Sequence, residues 1–525
     1  MTKKWCISIL IVAGLGAALR LPKLDLRPMH GDEAVHAYKF GQLLEQNYYR
    51  YDSHEFHGPT LNYFTLISAW FAGVKTYAGL TEFHLRIIPV FFGVLVVLMP
   101  LLLAGALGKR AVVIAAGLTA ISPAFVFYSR YYIQEMLLVC FTFGAILSGY
   151  RYIQRKNLVW ALLTGLFLGL MHATKETCII AYGSMLAAFA LTRLTAGGCS
   201  VKDVKLSHLA AALGAAVAVS ALFYSSFLTN PAGVVDSLRT YSTYFNRAGH
   251  NALHNHPWYY YLKLLLYNKA VTGAPWTEAL IVILAAVGFV AAGIRNRIAG
   301  FDQRLVIFLA FYTLVMTLCY SLIPYKTPWC LLGFFHGMIL LAGIGAVVIM
   351  RIAPKMLVRV IIGIFLFVVG IDLLLQAFLA NYVSYADHNN PYVYAHPTRD
   401  VFLIAQQVEE AADAHREHYR MPIQVICPNG DYWPLPWYLR RFNNVGYWND
   451  VSDNIAPSPV VIAAPQVEQR IIARLYEGAA PGQKNLYVPL FDRTIYLRPE
   501  IELRGYVTKD LLDQMQRLSA SGDKR

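Results

Sequence analysis

Long apolar runs alternate with short polar connections over the first three quarters of the chain. Because a helix needs about 20 apolar residues to cross a bilayer, each run predicts a membrane-spanning helix. About eleven runs are long enough, at roughly 5–21, 83–107, 110–128, 133–150, 157–173, 176–194, 206–228, 277–294, 303–323, 328–350 and 356–380. The shorter run at 61–74 has polar edges, which favours a re-entrant segment or a helix lying on the membrane surface.

The pattern changes in the last quarter of the chain. Short apolar runs at 423–426, 460–463 and 485–490 predict strands, and segments with helical spacing lie among them at 400–415 and 466–476. Such alternation predicts a small α/β domain. The expected fold class is an all-α polytopic membrane protein with about eleven transmembrane helices, surface-lying helices in its first outer loop, and a small C-terminal α/β extracytoplasmic domain.

Composition and charge agree with this division. Hydrophobic residues make up 57% of the 525 residues and charged residues only 14%, which excludes an ordinary soluble enzyme, a disordered chain and a coiled coil. Residues 1–382 carry a net charge of +16 and residues 383–525 a net charge of −2. We therefore expect a transmembrane catalytic domain at 1–382, with large outer loops at 22–82 and 229–276, and a soluble domain at 383–525.

Basic residues mark one set of alternate connections. Positive charge concentrates on the cytoplasmic side of membrane proteins, so this pattern predicts a multi-pass protein of the plasma or inner cell membrane with its N-terminus inside and its tail outside. It also makes nucleic acid an unlikely partner compared with membrane lipids. We interpret the first apolar run as a retained helix, with a cleaved signal peptide as the alternative. The basic residues are Lys3, Lys4, Lys109, Arg110, Arg151, Arg155, Lys156, Arg193, Lys202, Lys205, Arg295, Arg297, Arg304, Arg351, Lys355 and Arg359.

Polar clusters collect in the opposite set of connections, on the predicted outer face. Ionisable groups concentrated at one membrane boundary indicate a reaction or binding site there. We expect these segments to converge into one pocket, with carboxylates on one wall and cations on the other. The clusters are HGDEAVH at 30–36, YDSHEFHGP at 51–59, SRYYIQE at 129–135, TKE at 174–176, AGHNALHNHPW at 248–258 and PYKTPW at 324–329.

The first cluster contains an acidic pair, Asp32 and Glu33, at the start of a segment with helical spacing. Asp32 could cap the helix, and both acids could complement its positive end. In the functional interpretation Asp32 is a general base that takes a proton from an acceptor hydroxyl. A divalent metal, Mn, Mg or Zn, is a further possibility, because His30, Asp32 and His36 recur at helical spacing with His54 and His57 in the following loop.

Cations and further acids stand at later outer turns. Arg130 and Glu135 could pair with each other or point separately into a cavity, and Lys175 with Glu176 follows a long apolar run. These lysines, and Lys326, are either snorkelling anchors or cations for a lipid phosphate. The histidines of the 248–258 cluster are either an interfacial belt or the wall of a sugar cavity; they are His250, His254 and His256.

Several of these motifs together resemble the GT-C membrane glycosyltransferases, in the branch of the protein O-mannosyltransferases and aminoarabinose transferases. The resemblance lies in the acidic pair, HGPTLNY at 57–63, SRYYIQE, GLFLGLMHATKE at 165–176 and PYKTPW. The segments HGDEAVHAY, YDSHEFHGPTLNY, WPLPWYLRR and YVTKDL are closest to the prokaryotic group of flippase activity-associated proteins.

The resemblance implies an inverting transfer of a hexose-type sugar from a polyprenyl-phosphate carrier to a glycan, lipid or protein acceptor on the outer face. It makes Asp32, with Glu33 beside it, and Glu135 the catalytic acids. It assigns the carrier and sugar to Arg130, Lys175, Glu176, Lys326, His57, Tyr63, Trp329 and His256. Gln134 and Glu135 stand where relatives often have Asp, and HGP stands where many have a PP pair. The alternative function is that of a non-catalytic partner in the flipping or assembly of lipid-linked glycans.

Overall fold

The computed structural model describes residues 3–53, 57–197, 204–248, 254–269, 275–294, 300–452, 455–477 and 485–521. His54, Lys202, His250, Arg295 and Arg297 lie outside these ranges. Contacts divide the chain into two compact units. The helical unit comprises Met1–Leu24, Gln46–Gly73 and Phe83–Tyr394, and the sheet unit comprises Asp25–Glu45, Val74–Glu82 and Ala395–Arg525.

The predicted apolar runs form helices. The helices before residue 394 are α1 (Lys3–Ala18), α2 (Gly31–Gln46), α3 (Thr60–Ala72), α4 (Glu82–Leu98), α5 (Ala104–Leu107), α6 (Lys109–Ile121), α7 (Pro123–Ser129), α8 (Glu135–Arg155), α9 (Leu158–His172), α10 (Cys178–Ala196), α11 (Leu206–Tyr224), α12 (Ala232–Ala248), α13 (Tyr260–Leu266), α14 (Ala279–Gly293), α15 (Gln303–Leu322), α16 (Leu332–Ile352) and α17 (Met356–Phe378).

Length and composition separate these helices into classes. Within the described residues, seven helices are long and apolar enough to cross a membrane, or eight if α6 and α7, which meet at a bend of 60°, form one span. Three shorter apolar helices, α1, α9 and α14, coincide with the remaining predicted runs. The short run at 61–74 is the 13-residue helix α3. The structure therefore confirms a mostly helical membrane protein.

Local chemistry explains where several helices start and stop. The carboxylate of Asp302 accepts from the backbone N–H groups of Arg304 and Leu305 and so caps α15. The hydroxyl of Ser122 accepts from Phe125 N, and Pro123 takes the first position of α7, where the missing N–H needs no partner. The bend between α6 and α7 therefore follows from a Ser-Pro sequence.

Small residues let the helices approach closely. A Cβ atom built at Gly165 of α9 would lie 2.0 Å from the carbonyl oxygen of Ala212 in α11, and one at Gly345 of α16 would lie 2.0 Å from that of Leu284 in α14. In a membrane, where lipid tails are as apolar as leucine, such close backbone packing is a main source of helix association. Both glycines therefore fix the spacing of their helix pairs.

Inter-helix connections of the helical unit gather at two ends. At one end Lys109 lies over the ring of Trp5, and Tyr150 donates to Asp302 at 2.8 Å. At the other end, Arg20 follows α1. Its guanidinium reaches the last turn of α6 and donates to the carbonyl oxygen of Ala120 at 2.9 Å. That second end also holds Arg130, so predicted inner and outer connections lie at different ends of α1 and α6.

A mixed sheet forms the core of the sheet unit. Within the described residues six strands pair in the order β2-β1-β3-β6-β4, with β5 on β6. The strand β1 is parallel to β2 and β3, and β6 is antiparallel to its neighbours. The strands are β1 (Ile423–Ile426), β2 (Val445–Trp448), β3 (Val460–Ala463), β4 (Tyr487–Pro489), β5 (Ile495–Arg498) and β6 (Ile501–Thr508); the helices are α18 (Asp400–Ala414), α19 (Leu435–Tyr438), α20 (Glu468–Ile472) and α21 (Lys509–Ser521).

Two stretches of the first outer loop pack in the sheet unit, whereas the sequence division assigned the whole loop to the transmembrane domain. The hydroxyl of Tyr438 accepts a hydrogen bond from Met29 N at 2.8 Å. Trp437 Nε1 donates to Glu82 at 2.7 Å, and Arg440 donates to the carbonyl oxygen of Leu80. These long-range hydrogen bonds attach residues 25–45 and 74–82 to the tail.

Candidate functional site

A buried ion pair joins two predicted site residues of the helical unit. Glu135 opens α8 and Lys175 follows α9, and the Lys175 ammonium group donates to Oε1 of Glu135. Their side chains are only 6% and 4% exposed. Charges buried this deeply are costly unless they are paired. Oε2 of Glu135 is also buried and has no hydrogen-bond partner among the described residues, so it remains available to a ligand.

The ion pair lies in the wall of a small cavity. The lining is mostly apolar with a few polar groups, as is typical of small-molecule sites. Trp329, a predicted site residue, forms part of the wall, and its ring packs against Tyr131 at 5.6 Å and Tyr394 at 5.9 Å. The cavity is lined by Glu135, Leu138, Val139, Thr142, Lys175, Thr177, Ala181, Met316, Tyr320, Trp329, Cys330, Leu332 and Gly333.

A second ion pair lies next along the chain. Nδ1 of His57 is 2.9 Å from Oε2 of Glu176, and Tyr51 donates to Oε1 of the same carboxylate at 3.5 Å. Burial raises the pKa of Glu176, but the charge and hydrogen bond of His57, together with a backbone hydrogen bond and the charge of Lys175, hold the pKa below its ordinary value. The predicted YDSHEFHGP and TKE clusters are therefore in contact through Glu176.

Backbone packing holds these two clusters together. Gly58 N donates to the carbonyl oxygen of Thr174 at 3.0 Å, and Thr60 N donates to that of Ala173. A Cβ atom at Gly58 would lie 2.0 Å from the Ala173 oxygen, so only glycine fits there. Tyr63, in contrast, packs among aromatic rings, 4.8 Å from Phe227, rather than in the cavity.

The histidine cluster pairs with PYKTPW. Lys326 N donates to the carbonyl oxygen of His254, and the Lys326 ammonium donates to that of His256 at 3.0 Å. Burial lowers the pKa of Lys326. His256 stacks on Tyr260 at 4.2 Å, and burial, followed by the charges of His254 and Lys326, lowers its pKa. Lys326 is therefore a buried cation at this end of the unit, but it does not line the described cavity.

Arg130 makes contacts of another kind. Its guanidinium donates to the carbonyl oxygens of Arg20, Pro22 and Lys23, and lies over the ring of Tyr382 at 4.6 Å. Arg130 is not among the residues that line the described cavity. Its hydrogen bonds tie the segment after α1 to the turn before α8, and its role at a phosphate stays a prediction.

The acidic pair of the first loop lies in the sheet unit, and its two members differ. Glu33 is buried, accepts from His30 N at 3.0 Å and lies 3.7 Å from Arg27. This carboxylate reaches back to the residue before α2, as the acid of a capping box does. The side chain of Asp32 is 52% exposed. Asp32 lies inside the first turn of α2 rather than at its cap, and its carboxylate is the more accessible of the two.

His30 and His36 are both buried in this part of the sheet unit. Nδ1 of His30 accepts from Asp32 N at 3.0 Å, and its ring packs against that of His396 at 4.9 Å. Burial lowers the pKa of His30 although nearby acids raise it. No group of three His, Cys, Asp or Glu residues in the described chain is arranged to hold a metal ion. The residues present, including His30, Asp32 and His36, do not fit a metal site.

This architecture is similar to that of known proteins. A family model, dolichyl-phosphate-mannose-protein mannosyltransferase, matches residues 64–224, and no curated protein sequence matches significantly. The structure of ArnT from Cupriavidus metallidurans bound to undecaprenyl phosphate is similar with a TM-score of 0.64 at 14% identity, over 96% of this chain and 98% of that chain. The chain has the fold of the GT-C membrane glycosyltransferases.

Two structures of an archaeal oligosaccharyltransferase are also similar to this chain. The archaeal oligosaccharyltransferase AglB from Archaeoglobus fulgidus, in complex with an inhibitory peptide and a dolichol-phosphate, gives a TM-score of 0.56 at 14% identity, over 97% of this chain and 74% of that chain. The same oligosaccharyltransferase in complex with Zn and sulfate gives 0.51 at 15% identity, over 92% and 71%. A GT-C relative thus holds a metal, whereas the described residues of this chain offer no fitting group for one.

The sequence analysis did not single out some residues of this candidate site. Tyr51 binds Glu176, and its place in the YDSHEFHGP motif was a usable signal. Cys330 and Thr142 line the cavity from the interior of apolar runs, where nothing in the pattern marks them. Tyr394 contacts His254 at 2.6 Å but lies in the tail sequence. The convergence of Asp32 with Glu135 and Lys326 stays a prediction.

Proposed function

We propose that this GT-C protein transfers a hexose-type sugar from a polyprenyl-phosphate carrier to an acceptor hydroxyl on the extracytoplasmic face of the membrane. One observation carries the proposal: the buried Glu135–Lys175 ion pair lines a small cavity in a fold that is similar to an ArnT structure bound to undecaprenyl phosphate. The family model that matches residues 64–224 describes a mannosyltransferase with a dolichyl-phosphate donor, which is chemistry of the same class.

The cation of this pair suits the departing group. When the bond between the anomeric carbon and the carrier phosphate breaks, negative charge develops on the phosphate oxygen. A fixed ammonium group in surroundings that exclude water stabilises such charge more strongly than it would in water. Glu135 pairs with Lys175 in a mostly apolar wall, and Lys326 is another buried basic residue of the helical unit.

The incoming group requires a base. In a single displacement the acceptor oxygen attacks the anomeric carbon, the carbon–phosphate-oxygen bond breaks on the opposite side, and the configuration inverts. The acceptor proton passes to the base. We assign this role to Asp32, because its carboxylate is half exposed whereas that of Glu33 is buried in a capping contact. No step is assigned to a metal ion.

The orientation in the membrane follows from charge. The end of the helical unit that holds the first turns of α1, with Trp5, also holds Lys109, Arg151 and Arg351. The other end holds Glu135, Lys175 and Arg130. The positive-inside bias assigns the first end to the cytoplasm. The second end, with the ion pairs, is then extracytoplasmic.

Reconstituted transfer tests the proposal. The full chain in lipid nanodiscs is supplied with undecaprenyl-phosphate-linked radiolabelled hexoses and with glycan, lipid and peptide acceptors. We expect labelled product of inverted anomeric configuration, and a loss of kcat of at least about 100-fold in Lys175→Gln and in Asp32→Asn. Asp450→Asn, which alters another exposed acid of the sheet unit, is the matched control and retains wild-type activity.

Two results would contradict the proposal. Undiminished transfer by Asp32→Asn removes the assigned base. A wild-type protein that binds the carrier lipid but forms no product with any acceptor supports the alternative, a non-catalytic partner in moving or assembling lipid-linked glycans.

A further inference from the structure

Three aromatic side chains form a strip on the sheet unit, and none of them has a role in the chemistry above. The aromatic strip consists of Tyr38 on α2 and of Tyr432 and Trp433 in the loop after β1. The ring of Trp433 is 6.5 Å from that of Tyr38 and 6.1 Å from that of Tyr432. Tyr38 is 46% exposed, and the other two are half-buried. Rings of this kind present an apolar face and a polar edge to solvent.

The strip begins next to Asp32. A Cβ atom built at Gly31 would lie 3.8 Å from Cβ of Trp433, and Gly31 immediately precedes Asp32. Tyr38 lies seven residues after Gly31, so both are on the same face of α2. Trp433 therefore packs along this face of α2, between Gly31, which precedes the candidate base Asp32, and Tyr38.

Charged groups border the strip as well. Asp431, adjacent to Tyr432, accepts from Nη2 of Arg498 at 2.5 Å, and the two side chains are 34% and 26% exposed. Nε of Arg498 is buried and has no hydrogen-bond partner among the described residues. The strip is thus bordered by the partly exposed carboxylate of Asp431 and by a guanidinium group, and the partly exposed Asp32 follows Gly31 directly in the first turn of α2.

The loop that carries the strip is fixed by other aromatic residues. Trp437 is buried and donates to Glu82, Arg440 stacks on its ring at 3.9 Å, and the hydroxyl of Tyr438 accepts from Met29 N. Tyr432 rests on Tyr447 at 5.1 Å. Since these contacts hold the loop, the exposed surfaces of Tyr38 and Trp433 are not required for its attachment.

We propose that the aromatic strip binds a saccharide ring of the acceptor, so that the acceptor is a glycan. This inference rests on the proposed transfer reaction and names the substrate class of the same site. Sugars present C–H groups on the faces of their rings and hydroxyl groups at their edges. An aromatic face packs against the former, and carboxylates and guanidinium groups make charge-assisted hydrogen bonds with the latter.

A lipid surface is the competing partner, because tyrosine and tryptophan also collect at membrane interfaces. The charges beside the strip favour the saccharide. Asp32 and Asp431 would repel anionic head groups, whereas juxtamembrane lipid contacts are rich in lysine and arginine. Hydroxyl groups, in contrast, are good donors to both carboxylates.

Saccharide binding to the full chain is measured by saturation-transfer NMR with maltotriose, chitobiose and a uronic-acid disaccharide as probes. We expect at least one to bind the wild type, with about 10-fold or greater weakening in Trp433→Ala and partial recovery in Trp433→Phe. Trp70→Ala is the matched control, since Trp70 is 75% exposed in the helical unit and lies outside every predicted site cluster. With a saccharide acceptor, Trp433→Ala should raise KM far more than it lowers kcat. Unfolding midpoints establish that the variants fold.

The outcomes separate this inference from the proposed function. Active wild type whose KM and saccharide binding are unchanged by Trp433→Ala, or that binds none of the probes, overturns the inference and leaves the transfer reaction standing. Release of Trp433→Ala from phosphatidylglycerol vesicles without loss of saccharide binding overturns it in favour of a lipid surface. Saccharide binding that depends on Trp433 in a protein without transferase activity supports the strip but contradicts the proposed function.

Discussion

Glu135 and Asp32 both lie in the first turn of a helix, but their surroundings differ. Glu135 opens α8 in the helical unit, is buried, and pairs with Lys175. Asp32 lies in the first turn of α2 in the sheet unit, is 52% exposed, and has Nδ1 of His30 at 3.8 Å from its carboxylate. A buried acid of this kind holds a cation in place, whereas an exposed acid can exchange a proton. Position in a helix alone therefore does not define the role of an acidic residue.

The largest expected effect comes from breaking the buried pair. Lys175→Met leaves the Glu135 carboxylate buried without its cation, which should lower the free energy of unfolding by about 3–5 kcal/mol. The double variant Lys175→Met/Glu135→Leu should recover most of that stability, because two apolar side chains replace two charges, but not the transfer activity. Denaturant unfolding in detergent, followed by the activity assay, checks both expectations. Equal stability of the single and double variants would show that the charges are not coupled.

A smaller effect separates Glu33 from its neighbour Asp32. Glu33→Ala removes the hydrogen bond to His30 N and the contact with Arg27, and should lower the free energy of unfolding by about 1–2 kcal/mol. Asp32→Ala should change it by less than about 0.5 kcal/mol while reducing kcat. Activity per folded molecule should stay near wild type in Glu33→Ala. The reverse assignment, in which Glu33→Ala abolishes turnover without destabilisation, would exchange the roles of the two acids.

The smallest expected effect is a pH dependence at the second ion pair. The folded pKa of Glu176 lies below its ordinary value of 4.5, because His57, a backbone hydrogen bond and Lys175 together outweigh the effect of burial. The pair therefore contributes stability above about pH 4.5 and loses it as the pH falls through the lower folded pKa. In His57→Gln the buried carboxylate lacks this partner, so the difference in unfolding midpoint from wild type should shrink between pH 7 and pH 3. A constant difference would argue against an ionised Glu176.

Much of the architecture could be predicted because hydropathy is a local property. Each predicted apolar run coincides with a helix, and the strands at 423–426 and 460–463 are present as β1 and β3. The class of fold is confirmed by the similarity to ArnT. The attachment of residues 25–45 to the tail was not predictable, since it depends on contacts such as the one between Met29 and Tyr438, 409 residues apart.

The candidate site was predicted only as a set of residues. The sequence marked Glu135, Lys175, Glu176 and His57, but it did not show which acid meets which cation. Arg130 was expected to pair with Glu135 or to point separately into a cavity, and the resemblance implied a role at the carrier phosphate. Its guanidinium donates to the carbonyl oxygens of Arg20 and Pro22, and the role at the phosphate stays a prediction. Pairing depends on how helices pack, which spacing along the chain does not encode.

The sequence by itself determined the membrane helices, the charge asymmetry and the tail with its short strands, because burial in lipid and strand or helix periodicity act on neighbouring residues. The tertiary structure alone decided that Lys175 pairs with Glu135, that Glu33 caps α2 while Asp32 is exposed, and that Trp433 lies beside Gly31. These outcomes depend on side chains far apart in the chain, whose meeting is set by close packing and by the need to pair buried charges.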